Sequence, residues 1–189
     1  AKNDPSIVDT KIDDVKKRKE ERKKQARADS IAAWADMKTK KFTGKLTTYD
    51  GIATNFSIDL GEAFELPEGR STDSMVMYDF KSPDPDIFGG PSLSIRQGYG
   101  APDLDTDAAL EEQIHRKVTK KEKLSDGHVI VSQNDDGSSV DVKVVKKVGD
   151  YGSIHCEASL YGEDMIGAKD KLVLWLVKMC SSLSAKNGN

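Results

Sequence analysis

The sequence predicts an α+β fold: an antiparallel sheet of about six or seven strands packed against helices, preceded by a long charged N-terminal helix. Three observations carry that reading. Between residues 6 and 38 there is neither glycine nor proline, and helix formers dominate. From residue 42 the apolar period changes from helical to two, with turn residues between short runs. Three later runs, at 128–133, 138–148 and 152–161, are joined by short turns, as in an antiparallel meander.

Each element has its own justification. Asp4 and Pro5 suit an N-cap and a first helical position. The helix that follows has apolar residues only at its ends: Ile7, Val8, Ile12 and Val15, then Ile31, Trp34 and Met37. Its centre, KKRKEERKKQ, has no apolar stripe and cannot pack on a core. Acid-first pairs at i,i+4, namely Asp13–Lys17, Asp14–Arg18 and Glu20–Lys24, are each worth ~0.2–0.5 kcal/mol. Strands are expected at 42–49, 52–60, 75–80 and 92–97. In the second of these, Phe56, Ile58 and Leu60 alternate with Asn55, Ser57 and Asp59. Surface loops rich in Pro, Gly and Asp are expected at 61–74 and 81–91.

A second helix is expected at 105–120, opening on Asp105, Thr106 and Asp107, with Ala109, Leu110, Ile114 and Val118 as its stripe. A final helix at 165–183 places Leu172, Leu176, Met179, Cys180 and Leu183 on one face. The meander can be put in register. A tight turn at 134–137 would set Gln133 opposite Ser138 and Val131 opposite Val140. A three-residue loop at 149–151, or a bulge there, would pair Val144 with Cys156, Val142 with Ala158 and Val140 with Leu160. A two-residue loop would mix the faces. The outward row then reads His128, Lys143, Glu157.

Charge divides the chain in two. Residues 1–41 hold 13 bases against 8 acids, a net of +5, so the rest carries −8 of the chain's −3. This separates a basic helical arm or spacer, 1–41, from an α+β domain, 42–189. The bases Lys16, Lys17, Arg18, Lys19, Arg22, Lys23 and Lys24 make the arm a candidate interaction element for an anionic membrane surface. A solvated, salt-bridged helix is its plainer reading. Nucleic acid is the weaker partner for the arm, because Trp34 is the one aromatic near the basic run and the domain is acidic. The arm followed by a domain also suits a mature lipoprotein.

The residues point to no catalytic, cofactor or metal site. Asp103, Asp105 and Asp107 alternate like a calcium loop, but Ala108 and Ile114 stand where Gly and Glu are needed. The SPDPD run at 82–86 reads equally as a loop or as a carboxylate cluster. The three histidines, His115, His128 and His155, lack ligand spacing. No nucleophile elbow or Cys–His pair is recognisable. The two cysteines are placed by periodicity: Cys156 on the inward face of the last strand, Cys180 on the inward face of the last helix. A disulfide between them is expected if the chain is exported, and two reduced thiols if it is not.

The early strand segment FSIDLGEAFELP (56–67), the helix DAALEEQI (107–114) and the closing GSIHCEASLYG…LVLWLVKMCSSL (152–183) resemble the PsbP-like fold family over about residues 43–185. Gly61 departs from the family's usual proline. The family shares a fold more than a chemistry, so the resemblance implies binding or assembly. The expected function is therefore a non-enzymatic, extracytoplasmic protein, periplasmic or membrane-anchored, with a protein partner. A small hydrolase or ligand-binding enzyme using loops 61–74 and 81–91 is the alternative.

Overall fold

A computed structural model describes residues 5–47, 51, 53–82, 89–99, 115–149 and 152–187; at 5–11, 99 and 187 it describes backbone only. It is α+β. Helix α1 (Pro5–Ala35) leads into β1 (Thr39–Thr47), β2 (Ala53–Gly61), β3 (Phe64–Glu65), β4 (Met75–Phe80) and β5 (Ser92–Tyr99). Then come β6 (Lys117–Leu124), β7 (Gly127–Gln133), β8 (Ser139–Val148) and β9 (Gly152–Tyr161). The chain closes with α2 (Glu163–Gly167), α3 (Lys169–Ser181) and β10 (Ser184–Asn187). Two antiparallel sheets result, ordered β1-β2-β10 and β3-β4-β5-β9-β8-β7-β6.

The core lies where α3 crosses the larger sheet. Leu172, Leu176, Met179 and Cys180 of α3 are buried with Val129, Val131, Val142, Val144, Ile154 and Leu160. Each such side chain contributes ~1.5–3 kcal/mol by leaving water. The Cys156–Cys180 disulfide joins β9 to α3 across this layer, with Cα atoms 5.4 Å apart and both residues fully buried. The expected pairing thus forms, because strand alternation and helix periodicity both aim their cysteine at one layer.

The second hairpin has the expected register: Val140 opposite Leu160, Val142 opposite Ala158 and Val144 opposite Cys156. The first is shifted by two residues, with Gln133 opposite Val140, Val131 opposite Val142 and Val129 opposite Val144. Its loop is wider than a tight turn. Asn134 Oδ1 accepts from the Ser139 amide at 2.9 Å, Asp136 Oδ1 from the Ser138 amide at 2.9 Å, and Gly137 sits at φ 70°. An even shift preserves every face but moves the rows. The row expected as His128, Lys143, Glu157 becomes two: His128–Val145–His155 and Ile130–Lys143–Glu157.

Three further expectations change. Of the helix expected at 105–120, residues 105–114 lie outside the described residues, while 117–120 belong to strand β6. Pairing with β7 overrides the helical spacing of Val118, and His115, expected in mid-helix, is an exposed turn residue at φ 53°. The final helix divides at Ala168, just after Gly167, a residue that weakens helix interiors. Past its end, 184–187 form β10 on β2. The 61–74 segment also carries β3, whose Phe64 is buried opposite Phe80.

α1 is attached at one end. Trp34 is 1% exposed and meets Phe80 edge-on at 5.8 Å and Trp175 of α3 at 4.1 Å. Residues 12–25 are exposed throughout. The ion pair on that stretch is Glu20–Lys23 at i,i+3, 3.6 Å, rather than the expected Glu20–Lys24. β1 starts at Thr39, three residues before the charge-based division at 42.

Candidate functional site

On the sheet face away from α3, polar residues of neighbouring strands form a connected cluster. Alternation on β9 puts Ser153, His155 and Glu157 on that face; β5 sets Arg96 opposite His155, and β8 sets Lys143 opposite Glu157. Arg96 donates two hydrogen bonds to Glu157, Nε to Oε2 and Nη2 to Oε1, each 2.7 Å. Lys143 Nζ lies 3.0 Å from Glu157 Oε1. Burial raises the Glu157 carboxyl, but the neighbouring His155, Arg96 and Lys143 outweigh it and hold it well below the usual carboxylate range.

His155 and Ser153 share a 2.9 Å hydrogen bond through Nε2 and Oγ. Burial lowers the His155 pKa, with Lys143 and Arg96 acting the same way against Glu157. In the same cross-strand row His128 is 4% exposed and its Nε2 has no hydrogen-bond partner. Burial, then the charges of His155, Lys143 and Lys147, lower its pKa to about 4. With its pKa near 4, the His128 imidazole is neutral at pH 7.

Beside this lies a second group. Arg116 Nε is 3.1 Å from Asp141 Oδ2, and its Nη2 donates to the Ser139 carbonyl at 3.0 Å and Oγ at 2.9 Å. Ser159 Oγ donates to Asp141 Oδ1 at 2.8 Å. A cleft of about 180 Å³ between the groups is lined by Arg116, Ser132, Asp141, Lys143, Glu157 and Ser159. Its two cations are matched by two carboxylates already bonded to them.

Ser153, His155 and Glu157 have the order of nucleophile, base and orienting acid. The geometry does not deploy them that way. Ser153 is 2% exposed, so a substrate carbonyl cannot approach Oγ without displacing what covers it. His155 Nδ1 is 3.6 Å from Glu157 Oε1, beyond hydrogen-bond range, and that carboxylate is engaged by Arg96. Across the sheet, a Cβ at Gly98 would collide with His155 Nε2 and come within 2.7 Å of Ser153 Oγ, so the backbone closes over the pair. What this arrangement does is register β5, β9 and β8 through half-buried, mutually paired charges.

The expected interaction residues stand elsewhere. Lys16, Lys17, Arg18, Lys19, Arg22, Lys23 and Lys24 are all exposed on α1. Of these, Lys17 and Lys24 border an open groove of about 920 Å³ between α1 and α2–α3. Arg27 bridges the groove to Asp164 at 3.2 Å. Loop 61–74 is tied down by Arg70 on Asp79, while 83–88 and the Asp103–Asp105–Asp107 run lie outside the described residues. Among the described residues no His, Cys, Asp or Glu cluster could hold a metal, and no helix is long and apolar enough to cross a membrane.

Sequence reasoning set Lys143 beside Glu157 but missed Arg96 as their partner and the burial of both sheet histidines. The i, i+2, i+4 spacing of Ser153, His155 and Glu157 carried half the signal. The other half, the β5–β9 pairing that delivers Arg96, is non-local. No family model matches this chain, and no curated protein matches its sequence.

Proposed function

We propose that this chain is a non-enzymatic binding or assembly protein of an oxidising, extracytoplasmic compartment, its domain of PsbP-like kind and presented from a membrane surface by α1. One observation carries the proposal: among the described side chains α1 enters the core through its last turns, at Trp34, and leaves residues 12–25 exposed. A helix that contributes no core over that stretch has its surface free to meet something outside the domain. The buried Cys156–Cys180 disulfide is compatible with such a compartment. The nucleic-acid reading loses its aromatic, since Trp34 is sealed against Trp175 and Phe80 and cannot stack on a base.

Fractionation of the native cells with a thiol-blocking quench tests the proposal. The expected result is recovery outside the cytosol with no free thiol until reductant is added. Recovery in the cytosol with two free thiols overturns it. The loops 61–74 and 81–91 of the hydrolase reading bring no nucleophile–base pair together among the described residues, and the Ser153–His155 hydrogen bond on the sheet is buried. Covalent labelling of Ser153 by a fluorophosphonate, abolished in Ser153→Ala, would replace the binding reading with the hydrolase one.

A further inference from the structure

The exposed part of α1 is not uniformly charged around its axis. At ~100° per residue, Ile12, Val15, Lys19, Arg22 and Lys23 fall along one side of the helix, flanked by Lys16 and Arg18. Between residues 12 and 24 that half carries no acid. The one ion pair reaching it among the described residues is Lys23 with Glu20 of the other half, exposed and 3.6 Å long. Asp13, Asp14, Glu20 and Glu21 all fall on the other half, together with Lys17 and Lys24. Ile12 and Val15 are 46% and 65% exposed, unusual for branched apolar side chains.

The structure supplies the second, independent fact. The groove between α1 and the domain is bordered on the α1 side by Lys17, Glu20, Glu21, Lys24, Arg27 and Ala28. These belong to the mixed half. Asp164, which holds Arg27, lies across the groove. Ile12, Val15, Lys16, Arg18, Lys19, Arg22 and Lys23 do not border it. The acid-bearing half therefore turns toward the domain, and the acid-free half turns to the outside.

We infer that this outward half of α1 is a docking face for an anionic lipid bilayer, with Ile12 and Val15 entering the headgroup boundary and Lys16, Arg18, Lys19, Arg22 and Lys23 meeting lipid phosphates. This rests on the reading of α1 as a presenting arm and deepens it by naming the face and the surface. The apolar contribution is a single turn, Ile12 and Val15, and the cations around it supply the electrostatic attraction to anionic lipid. Pairing of α1 with the α1 of a second copy does not fit, because it would bring the two basic halves together. A duplex has phosphates to offer but no apolar layer for Ile12 and Val15.

Binding of the full chain to vesicles of 70% phosphatidylcholine and 30% phosphatidylglycerol, by co-sedimentation at 0.1 M salt, tests the inference. Two variants remove the same charge from opposite halves. Lys19→Gln/Arg22→Gln should weaken binding on the order of 30-fold, because two cations no longer meet headgroup phosphates. Lys17→Gln/Lys24→Gln should change it less than about threefold, the remaining effect being long-range charge. Equal weakening by both pairs overturns the face assignment while leaving a basic arm. No binding by the unaltered chain overturns membrane docking altogether, and with it the surface-presentation part of the proposed function. A third variant, Ile12→Ser/Val15→Ser, separates the bilayer from other polyanions: it should weaken vesicle binding about tenfold and leave any affinity for a 20-base-pair duplex unchanged. Duplex binding as tight as vesicle binding, with neither sensitive to this variant, overturns the bilayer as partner.

Discussion

Helices α1 and α3 share one ring contact, Trp34 against Trp175 at 4.1 Å, and differ in almost everything else. α3 is 13 residues long, buries Leu172, Leu176, Met179 and Cys180 against the sheet, and is fastened to β9 by a disulfide. α1 is 31 residues long, buries Trp34, and exposes every residue from 12 to 25. Length and stability contribution run in opposite directions. A helix of this size held by its last turns owes its helicity to composition and i,i+3 or i,i+4 pairs rather than to tertiary packing, which makes its outer turns the part of the molecule nearest to local opening. The comparison separates what the fold requires from what it carries.

The largest expected effects strike where the helices meet and where α3 is fastened. Trp34→Ala should cost ~3–5 kcal/mol, measured by urea unfolding, because it empties a site between Phe80 and Trp175. A cost below about 1 kcal/mol would mean that α1 is not anchored there. Replacing both cysteines with alanine should cost ~3 kcal/mol in the chain-entropy account of a 24-residue separation. Here the readout is the unfolding midpoint with and without reductant. The unaltered protein should shift on reduction and the double variant should not.

Acid should sharpen the contrast between the two parts. His128 has its folded pKa lowered to about 4, so as pH falls from about 6.5 toward 4 the unfolded chain takes up a proton that the folded one refuses. Stability is therefore fully present above about 6.5 and declines through that window. Glu157, lowered in the fold, adds a further loss as pH falls below its unfolded value. Both groups sit on the larger sheet, so His128→Gln should flatten the slope of unfolding free energy between pH 6.5 and 4. An unchanged slope would mean that His128 protonates freely in the folded state. The smallest effect belongs to α1: Lys19→Gln/Arg22→Gln should alter stability by less than about 0.5 kcal/mol.

Much of this was legible in the residues, and the divide follows contact range. Glycine- and proline-free composition gave α1, alternation gave β2 and the meander, and two periodicities converged on Cys156 and Cys180. The second hairpin's register followed from keeping one face apolar. What escaped depended on partners distant in sequence. β6 reads locally as the end of a helix until β7 is beside it, β10 is four residues that exist as strand only on β2, and Arg96 finds Glu157 through β5–β9 pairing. Alternation also assigns a side chain to a face without saying whether that face is wet. His128 and His155 point away from the α3 layer as expected, yet both are buried.

Among the described side chains, α1 packs on the domain at its C-terminal turns, around Trp34, and otherwise meets it through the exposed Arg27–Asp164 ion pair. This central claim is tested most directly by comparing the thermal unfolding of two truncations, one beginning after residue 28 and one after residue 38. The first keeps Trp34 and should melt within about 3 °C of the full chain. The second removes it and should melt lower by roughly 6–20 °C, at ~2–4 °C per kcal/mol for a chain of this size. Equal, large losses from both truncations would contradict the account, because the outer turns of α1 would then be part of the packed structure.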